Sequence, residues 1–239
     1  MSQIGPGASI VDINPNTSST VQQHQLGTFG YDRAGRAYRY AQAGAVALVT
    51  GNLLQSAARD TAFTDMAVVS GAAGQKEIVV TLGATATTAN LFDEGTLAIT
   101  VTPGIGQTFT IKSHTVADAS ASCTITVEEN IVTALSTSSK VTINKNLYDA
   151  VIQSPTTRTG KTVGVAQFAI PIGSYGWIGT RGVFAVLSDV TVAAVGEGLS
   201  PSTTTAGAVT KQVTLLENIG TAAILGVTAK CEPAFITIN

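Results

Sequence analysis

The chain is 239 residues long with a formal net charge of −2, and only 12% of its residues are charged, against about 25% in an ordinary soluble domain. That length allows one large all-β domain or two smaller ones. Alanine, glycine, serine, threonine and valine dominate, which clads the surface in methyls and hydroxyls and leaves a free monomer poorly protected against association. Such a composition suits a protein packed against copies of itself or within a larger assembly. Cys123 and Cys231 are too few and too far apart for a disulfide framework, and they read as small buried hydrophobes of a chain folded in the cytosol. No basic-then-apolar leader opens the sequence. The longest apolar stretch, residues 41–50, falls well short of the roughly 20 residues of a membrane helix.

Residues 1–30, with Pro6, Pro15 and a polar run over 14–25, lack apolar periodicity and read as an extended N-terminal arm that orders against a neighbour. Residues 31–40 hold three arginines and three tyrosines. Tyr38 and Tyr40 alternate with Arg39, the pattern of a strand with one aromatic and one charged face. Gly44 turns the chain into a further strand over 45–49. From residue 71 strands are predicted over 76–82, 97–101, 107–112, 123–128 and 140–144. The fourth alternates strictly and so has one buried and one wet face. Pro103-Gly104-Ile105-Gly106 is a turn between two of them. Two short helices fit the pattern: 129–135, with Ile131, Ala134 and Leu135 on one side, and 146–152, opened by Asn146 as N-cap.

Residues 154–160 form a linker-like break. Beyond them, apolar strands are predicted over 162–170, 190–195, 212–216, 223–228 and 235–238, with 196–207 an exposed loop. Residues 171–189 read as strand, tight turn, strand, with Gly173 and Gly176 supplying the positive φ of the turn. Apolar residues on both phases of 183–187 predict a strand covered on both faces. Trp177, the only tryptophan, anchors either a core or an interface, and the core is the commoner place. The fold class is therefore mainly β: a β-barrel or β-sandwich core from 31–70 and 160–239, an inserted small α+β subdomain over 71–159, and the extended arm.

The motifs that carry chemistry fail on spacing. Arg158-Thr-Gly-Lys-Thr162 matches the end of a phosphate-binding loop, but Pro155 stands where its first glycine is required. Gly104-Ile-Gly106 joins strands rather than opening a helix, so it is no dinucleotide fingerprint. His24 in the arm and His114 at a strand end have no carboxylates at ligand spacing and read as solvated, which implies no metal. Ser174 lacks the second glycine of a nucleophile elbow, and Cys123 lies on a buried strand face where a thiolate is costly. Asp93-Glu94 and Glu128-Glu129 are adjacent pairs whose side chains diverge on a strand. No catalytic residue and no cofactor follows from these patterns. An enzyme would need distant carboxylates brought together by folding.

Arg33, Arg36 and Arg39 are the only concentrated charge. Their interleaving with Tyr31, Tyr38 and Tyr40 suits single-stranded nucleic acid, but also protein interfaces. Residues 1–70 balance four basic groups (Arg33, Arg36, Arg39, Arg59) against four acidic ones (Asp12, Asp32, Asp60, Asp65), so a protein partner fits better than nucleic acid.

Residues 39–51, 87–97, 145–148 and 163–166, followed by Gly173-Ser-Tyr-Gly-Trp-Ile-Gly-Thr-Arg-Gly182, resemble virion structural proteins of tailed bacteriophages. More narrowly, they are similar to the small proteins that decorate or cement the head. The likeness spans residues 30–210, and its most specific piece is the Tyr175-Gly-Trp177 turn. The resemblance implies a non-enzymatic, trimeric protein made in the host bacterial cytoplasm and bound to the capsid exterior, with the major capsid protein and itself as partners and neither nucleic acid nor membrane. Capsid or inter-subunit contacts are expected at Tyr31, Arg33, Arg36, Arg39, Tyr40, Trp177 and Arg181. A tail or fibre protein that adheres to host glycans is the alternative.

Overall fold

The computed structural model describes residues 10–189, 194–212, 216–224 and 226–238. Residues 1–9 of the expected arm and most of the strand expected over 190–195 lie outside them, as do parts of the strands expected over 212–216 and 223–228. The fold is almost entirely β. Five strands come first: β1 (Ile10–Val11), β2 (Ser18–Ser19), β3 (Phe29–Tyr31), β4 (Ala37–Gln42) and β5 (Leu53–Gln55). A 3-10 turn, Thr61–Phe63, leads into β6 (Met66–Ser70), β7 (Glu77–Thr81), β8 (Thr96–Val101), β9 (Thr108–His114), β10 (Ser122–Val127) and β11 (Lys140–Asn144). The last seven are β12 (Ile152–Gln153), β13 (Thr162–Ala166), β14 (Tyr175–Leu187), β15 (Gly198–Pro201), β16 (Val209–Lys211), β17 (Gly220–Ala222) and β18 (Cys231–Thr237).

The chain divides into two compact units, Arg59–Asn146 and the segments on either side of it. The boundaries fall at 59 and 146 rather than at 71 and 159, because β6 pairs with β7 and β11 and so belongs to the inserted unit. That unit is a closed six-stranded barrel in the order β10-β7-β6-β11-β8-β9, sealed by the β9–β10 pairing. Period-2 alternation builds it. Leu97, Ile99, Phe109, Ile111, Cys123, Ile125, Val127, Val141 and Ile143 point inward and are buried. Ser122, Thr124 and Thr126 point the other way.

The helices expected here are absent. Ile131 and Leu135 are indeed buried, but as two points of a loop whose N–H groups donate to the carbonyls of Gln75 (2.9 Å) and Gly71 (2.7 Å). Residues four apart can be buried by a loop crossing a barrel end as well as by a helix, and the backbone donors are satisfied either way. The second expected helix gives way to positive φ at Ala150 and then to β12, and the Asn146 side chain donates to the Glu94 carbonyl (2.9 Å) instead of capping.

The flanking unit is a 12-stranded sheet whose main path runs β1-β3-β4-β14-β18-β17-β15-β16, with β2, β5, β12 and β13 joined off it. Its axis is β14, a single 13-residue strand and not a hairpin. Gly173 does have positive φ (68°), in the turn that precedes the strand, whereas Gly176 lies within it and does not. The first half of β14 is covered on both faces. Trp177 faces a core with Tyr38, Tyr40 and Ile13, while Ile178 faces another with Leu48, Leu54 and Val163. From Arg181 the strand alternates, burying Phe184 and Val186 and exposing Val183 and Ala185. This half therefore departs from the covered strand that its apolar sequence predicts.

The arm is not free over its described part. β1 pairs with β3, β2 pairs with β14, and Ile13 and Leu26 pack into the Trp177 core. At the crossing, a Cβ added to Gly30 would sit 2.7 Å from the Trp177 ring and 2.9 Å from Ile13, so only glycine lets these layers close. Residues 45–49 contribute only the bridge between Leu48 and Ile170. Residues 154–160 are docked and not a linker: Gln55 donates to Thr159 (2.8 Å), and Arg158 pairs with Glu217 (2.7 Å). The loop expected over 196–207 is instead largely the β15–β16 hairpin, in which Leu199 and Ser200 are buried and the Ser200 hydroxyl donates to the Lys211 carbonyl (3.3 Å). Backbone bonding of this kind lets a hydroxyl-rich segment go inside.

Candidate interaction surface

Asp32 organises the β3–β4 hairpin. Its Oδ1 accepts from the Ala34 N–H (2.9 Å) and the Arg36 N–H (3.0 Å), while Gly35, at φ +75°, donates to the Asp32 carbonyl (3.0 Å). An aspartate that opens a turn and a glycine three residues later are what such a hairpin demands. The other carboxylate oxygen receives Arg36 Nε (2.7 Å) and the Tyr38 hydroxyl (3.2 Å). Burial works to raise the pKa of Asp32, but the backbone and side-chain donors of Arg36, its charge, and the Tyr38 hydroxyl together outweigh it and hold the carboxyl below its ordinary value. The Tyr38 hydroxyl is pushed well above the usual tyrosine range, mainly by burial.

Each arginine of the cluster is engaged within the chain. Arg33 forms a forked pair with Asp12 (2.8 and 2.9 Å) at a fully solvated site. The Arg36 guanidinium lies 5.6 Å from the Phe184 ring centre. Arg39 donates to the Gly27 carbonyl (2.6 Å) and stacks 3.3 Å over the Phe29 ring. This is cation–π packing in service of the fold. Phe29 in turn stacks on Tyr31, whose ring is partly exposed.

Tyr40 and Trp177 meet edge to face at 5.1 Å, with His24 at 5.1 Å from Tyr40 and 5.4 Å from Trp177. Trp177 is only 6% exposed and is a core anchor. The Tyr40 hydroxyl accepts the Gln23 N–H (3.1 Å), and burial raises its pKa. His24 is not the solvated residue its place in the arm predicts: burial among these rings lowers its pKa. His114 is likewise tied in, accepting the Phe92 N–H (3.2 Å) on Nε2.

Of the seven residues expected to make contacts, the structure gathers Arg36, Arg39, Tyr40 and Trp177 into the interior or its margin, and Arg33 is spent on Asp12. Tyr31 remains partly exposed. Arg181 is exposed and has no hydrogen-bond or ion-pair partner among the described residues. Around Arg181 lies a feature that sequence reasoning missed. β14 and β18 pair in antiparallel register as Arg181–Thr237, Val183–Phe235, Ala185–Pro233 and Leu187–Cys231, so these residues share one face of the sheet. Val183 is 49% and Phe235 42% exposed. Cys231, expected to be buried, is exposed on the same face, and Cys123 is buried as expected. Ala234, Phe235 and Ile236 are all apolar, so no alternation in the sequence marks Phe235 as the exposed one.

Among the described residues no three His, Cys, Asp or Glu side chains converge in a way that could hold a metal ion. No protein-family model, curated protein or solved structure matches the chain.

Proposed function

We propose that the protein is a non-enzymatic head decoration protein of a tailed bacteriophage, which binds the outer capsid surface and stabilises the shell by bridging capsid subunits. The observation that carries this reading is the character of the surface. Large apolar side chains stand exposed on both units, including Val21 (62%), Ile105 (64%), Val132 (80%) and Ile172 (63%), in a chain with a charged fraction of 12%. A freely diffusing protein keeps such groups sparse and surrounds them with charge, whereas a component of a crowded shell gains by burying them. The resemblance over residues 30–210 points the same way. The major capsid protein and further copies of the chain are the partners this reading assigns, and the virion exterior is its place.

Purified protein added to heads that lack it, followed by cryo-electron microscopy, tests the proposal. Ordered density at symmetry-related joints of the shell is the expected result, and heads that leave the protein in solution would overturn it. The stacked Phe29–Tyr31 pair favours a second reading, a tail or fibre protein that adheres to host glycans. A glycan array that retains the protein but not its Tyr31→Ala variant would move that reading to first place.

A further inference from the structure

The two edges of β14 are not equally used. Along one of them the ladder with β18 is continuous from Arg181–Thr237 to Leu187–Cys231. Antiparallel pairs alternate between bonded and unbonded, and two observations fix the phase here. The Ile238 N–H donates to the Thr180 carbonyl (2.9 Å), and Pro233, which has no N–H, stands opposite Ala185. Gly182, Phe184 and Val186 therefore bond to β18, while Val183, Ala185 and Leu187 turn their N–H and C=O groups to the opposite edge. Leu187 is used there, since its N–H donates to the Gly51 carbonyl (2.8 Å). So is Arg181, which pairs with Ala37, the first residue of β4. Between these two points the edge is open. Among the described residues nothing bonds the Val183 N–H, the Val183 carbonyl or the Ala185 N–H, and the Ala185 carbonyl has only the Gln167 side chain, at 3.5 Å. Val183 and Ala185 are both exposed.

We infer that this notch receives an extended acidic peptide, a segment of a partner polypeptide that adds as a short strand against Val183 and Ala185 and brings a carboxylate to Arg181. The backbone decides the class of occupant. N–H and C=O groups alternating along a strand edge are matched by the main chain of another extended peptide, whereas neither a glycan nor a nucleic-acid strand repeats donor and acceptor in that way. Charge complementarity supplies the rest. Arg181 stands at the mouth of the notch, exposed and without a hydrogen-bond or ion-pair partner among the described residues. A residue of the added strand opposite Val183 lies one diagonal step from it, roughly 7–8 Å, within reach of an arginine and a glutamate.

The fold closes comparable edges elsewhere. Beside β12 the Gly207 N–H donates to the Ser154 carbonyl (2.8 Å), and beside β16 the Asp189 N–H donates to the Val209 carbonyl (3.1 Å). Lysine and proline are the usual guards of an edge left open, and neither occupies position 183 or 185. From Arg181 to Leu187 the strand rises about 20 Å, which leaves room for roughly three or four residues of an added strand. Contact of that extent makes the complex weak and reversible.

Selection of random peptides of about six residues on the immobilised full chain tests this independently of any capsid. The expected winners carry an acidic residue among β-branched ones, and selection on Arg181→Glu turns that preference to lysine or arginine. Ala185→Pro removes an N–H that points into the notch and none that serves β18, so it weakens the selected peptides at least about fivefold, as for a lost hydrogen bond. Ala185→Ser, which keeps the N–H, leaves them unchanged. Circular dichroism confirms that each variant is folded. A readout on the unaltered chain accompanies these: in amide hydrogen exchange followed by NMR, Val183 and Ala185 exchange freely alone and become protected when a selected peptide is added. A selection that enriches no peptide overturns the inference. So do peptides that bind Ala185→Pro as well as the unaltered chain, or that leave both amides unprotected. Binding to heads is measured apart from this, and a failure to decorate them would leave the notch standing.

Discussion

The inserted barrel and the flanking sheet solve the same problem of burial in different ways. In the barrel each strand keeps one role along its length: inward residues are mainly Leu, Ile, Val and Phe, and outward ones are hydroxyls and charges interspersed with small apolar residues such as Ala98, Val69 and Val101. In the sheet, β14 changes role midway, from doubly covered at Trp177 and Ile178 to one-sided beyond Arg181. A closed ladder needs nothing outside itself. The sheet gathers strands from both flanking segments around one long strand, and it leaves an apolar face where β14 becomes one-sided.

The strongest way to break the comparison is to remove a barrel side chain. Leu97 is fully buried, and Leu97→Ala should cost ~2–5 kcal/mol from lost transfer energy and the cavity left behind. Because the barrel's pairings are its own, calorimetry of the full chain should show one transition moving down and the other staying in place. A single transition that moves as a whole would show the units to be coupled. Next in size, Gly30→Ala presses a methyl into the Trp177 ring and Ile13 and should cost ~1–3 kcal/mol by overpacking. It should shift only the transition that tracks tryptophan fluorescence, since Trp177 is the sole tryptophan.

The same contrast explains what could be read from the sequence. Five of the six barrel strands were legible to within a residue or two, since strict alternation such as that read over 123–128 reports a strand with constant partners, whereas Met66–Ser70 was missed. The aromatic face of β4, Tyr38 and Tyr40, was legible for the same reason. The division of the chain was not: the pairing of Met66–Ser70 with β7 and β11 is a long-range fact that no local pattern encodes. Nor was the outer face of β14. Its Val183, Ala185 and Leu187 look like core to any periodicity argument, and only the placement of β18 beside them shows which phase is wet. The arginine cluster was legible as concentrated charge, but its partners within the chain were not. Arg33, Arg36 and Arg39 read as a contact surface, yet their partners Asp12, Asp32, Gly27 and Phe29 sit within the same fifty residues. Arg181, the one arginine with no partner among the described residues, was the least conspicuous in sequence.

Acid sharpens the comparison further, because both shifted groups that matter lie in the sheet. Asp32 titrates below its ordinary value when folded, so its contribution is complete above the unfolded carboxylate pKa of about 3.9 and is lost as pH falls through the lower folded value. Asp32→Asn keeps the turn acceptor but removes the charge that Arg36 and Tyr38 share. It should lower the midpoint at pH 7 by the equivalent of ~1–2 kcal/mol and flatten the loss of stability below pH 4. His24 contributes in the same sense at higher pH. Its folded pKa is depressed by burial, so its share is complete above about 6.5 and is lost as pH falls through the lower folded value. His24→Phe should remove that step from the profile of the sheet and leave the barrel untouched; an unchanged step would mean that another group titrates.

The smallest effect is the most diagnostic of where charge matters. Arg33 and Asp12 have the better geometry, a forked pair at 2.8 and 2.9 Å, yet the Arg33 side chain is 86% exposed. Arg36 and Asp32 make a single close contact of 2.7 Å, but the Asp32 side chain is only 9% exposed and serves three other donors. Water screens the first pair more than the second, where only the Arg36 side is partly exposed. Arg33→Ala should therefore leave the melting midpoint unchanged within error at physiological salt, while Asp32→Asn shifts it clearly. If the two variants destabilise the sheet equally, the forked pair is holding the segment from Asp12 to Phe29 against β4, and the grip of that segment lies in its ion pair more than in the burial of Ile13 and Leu26.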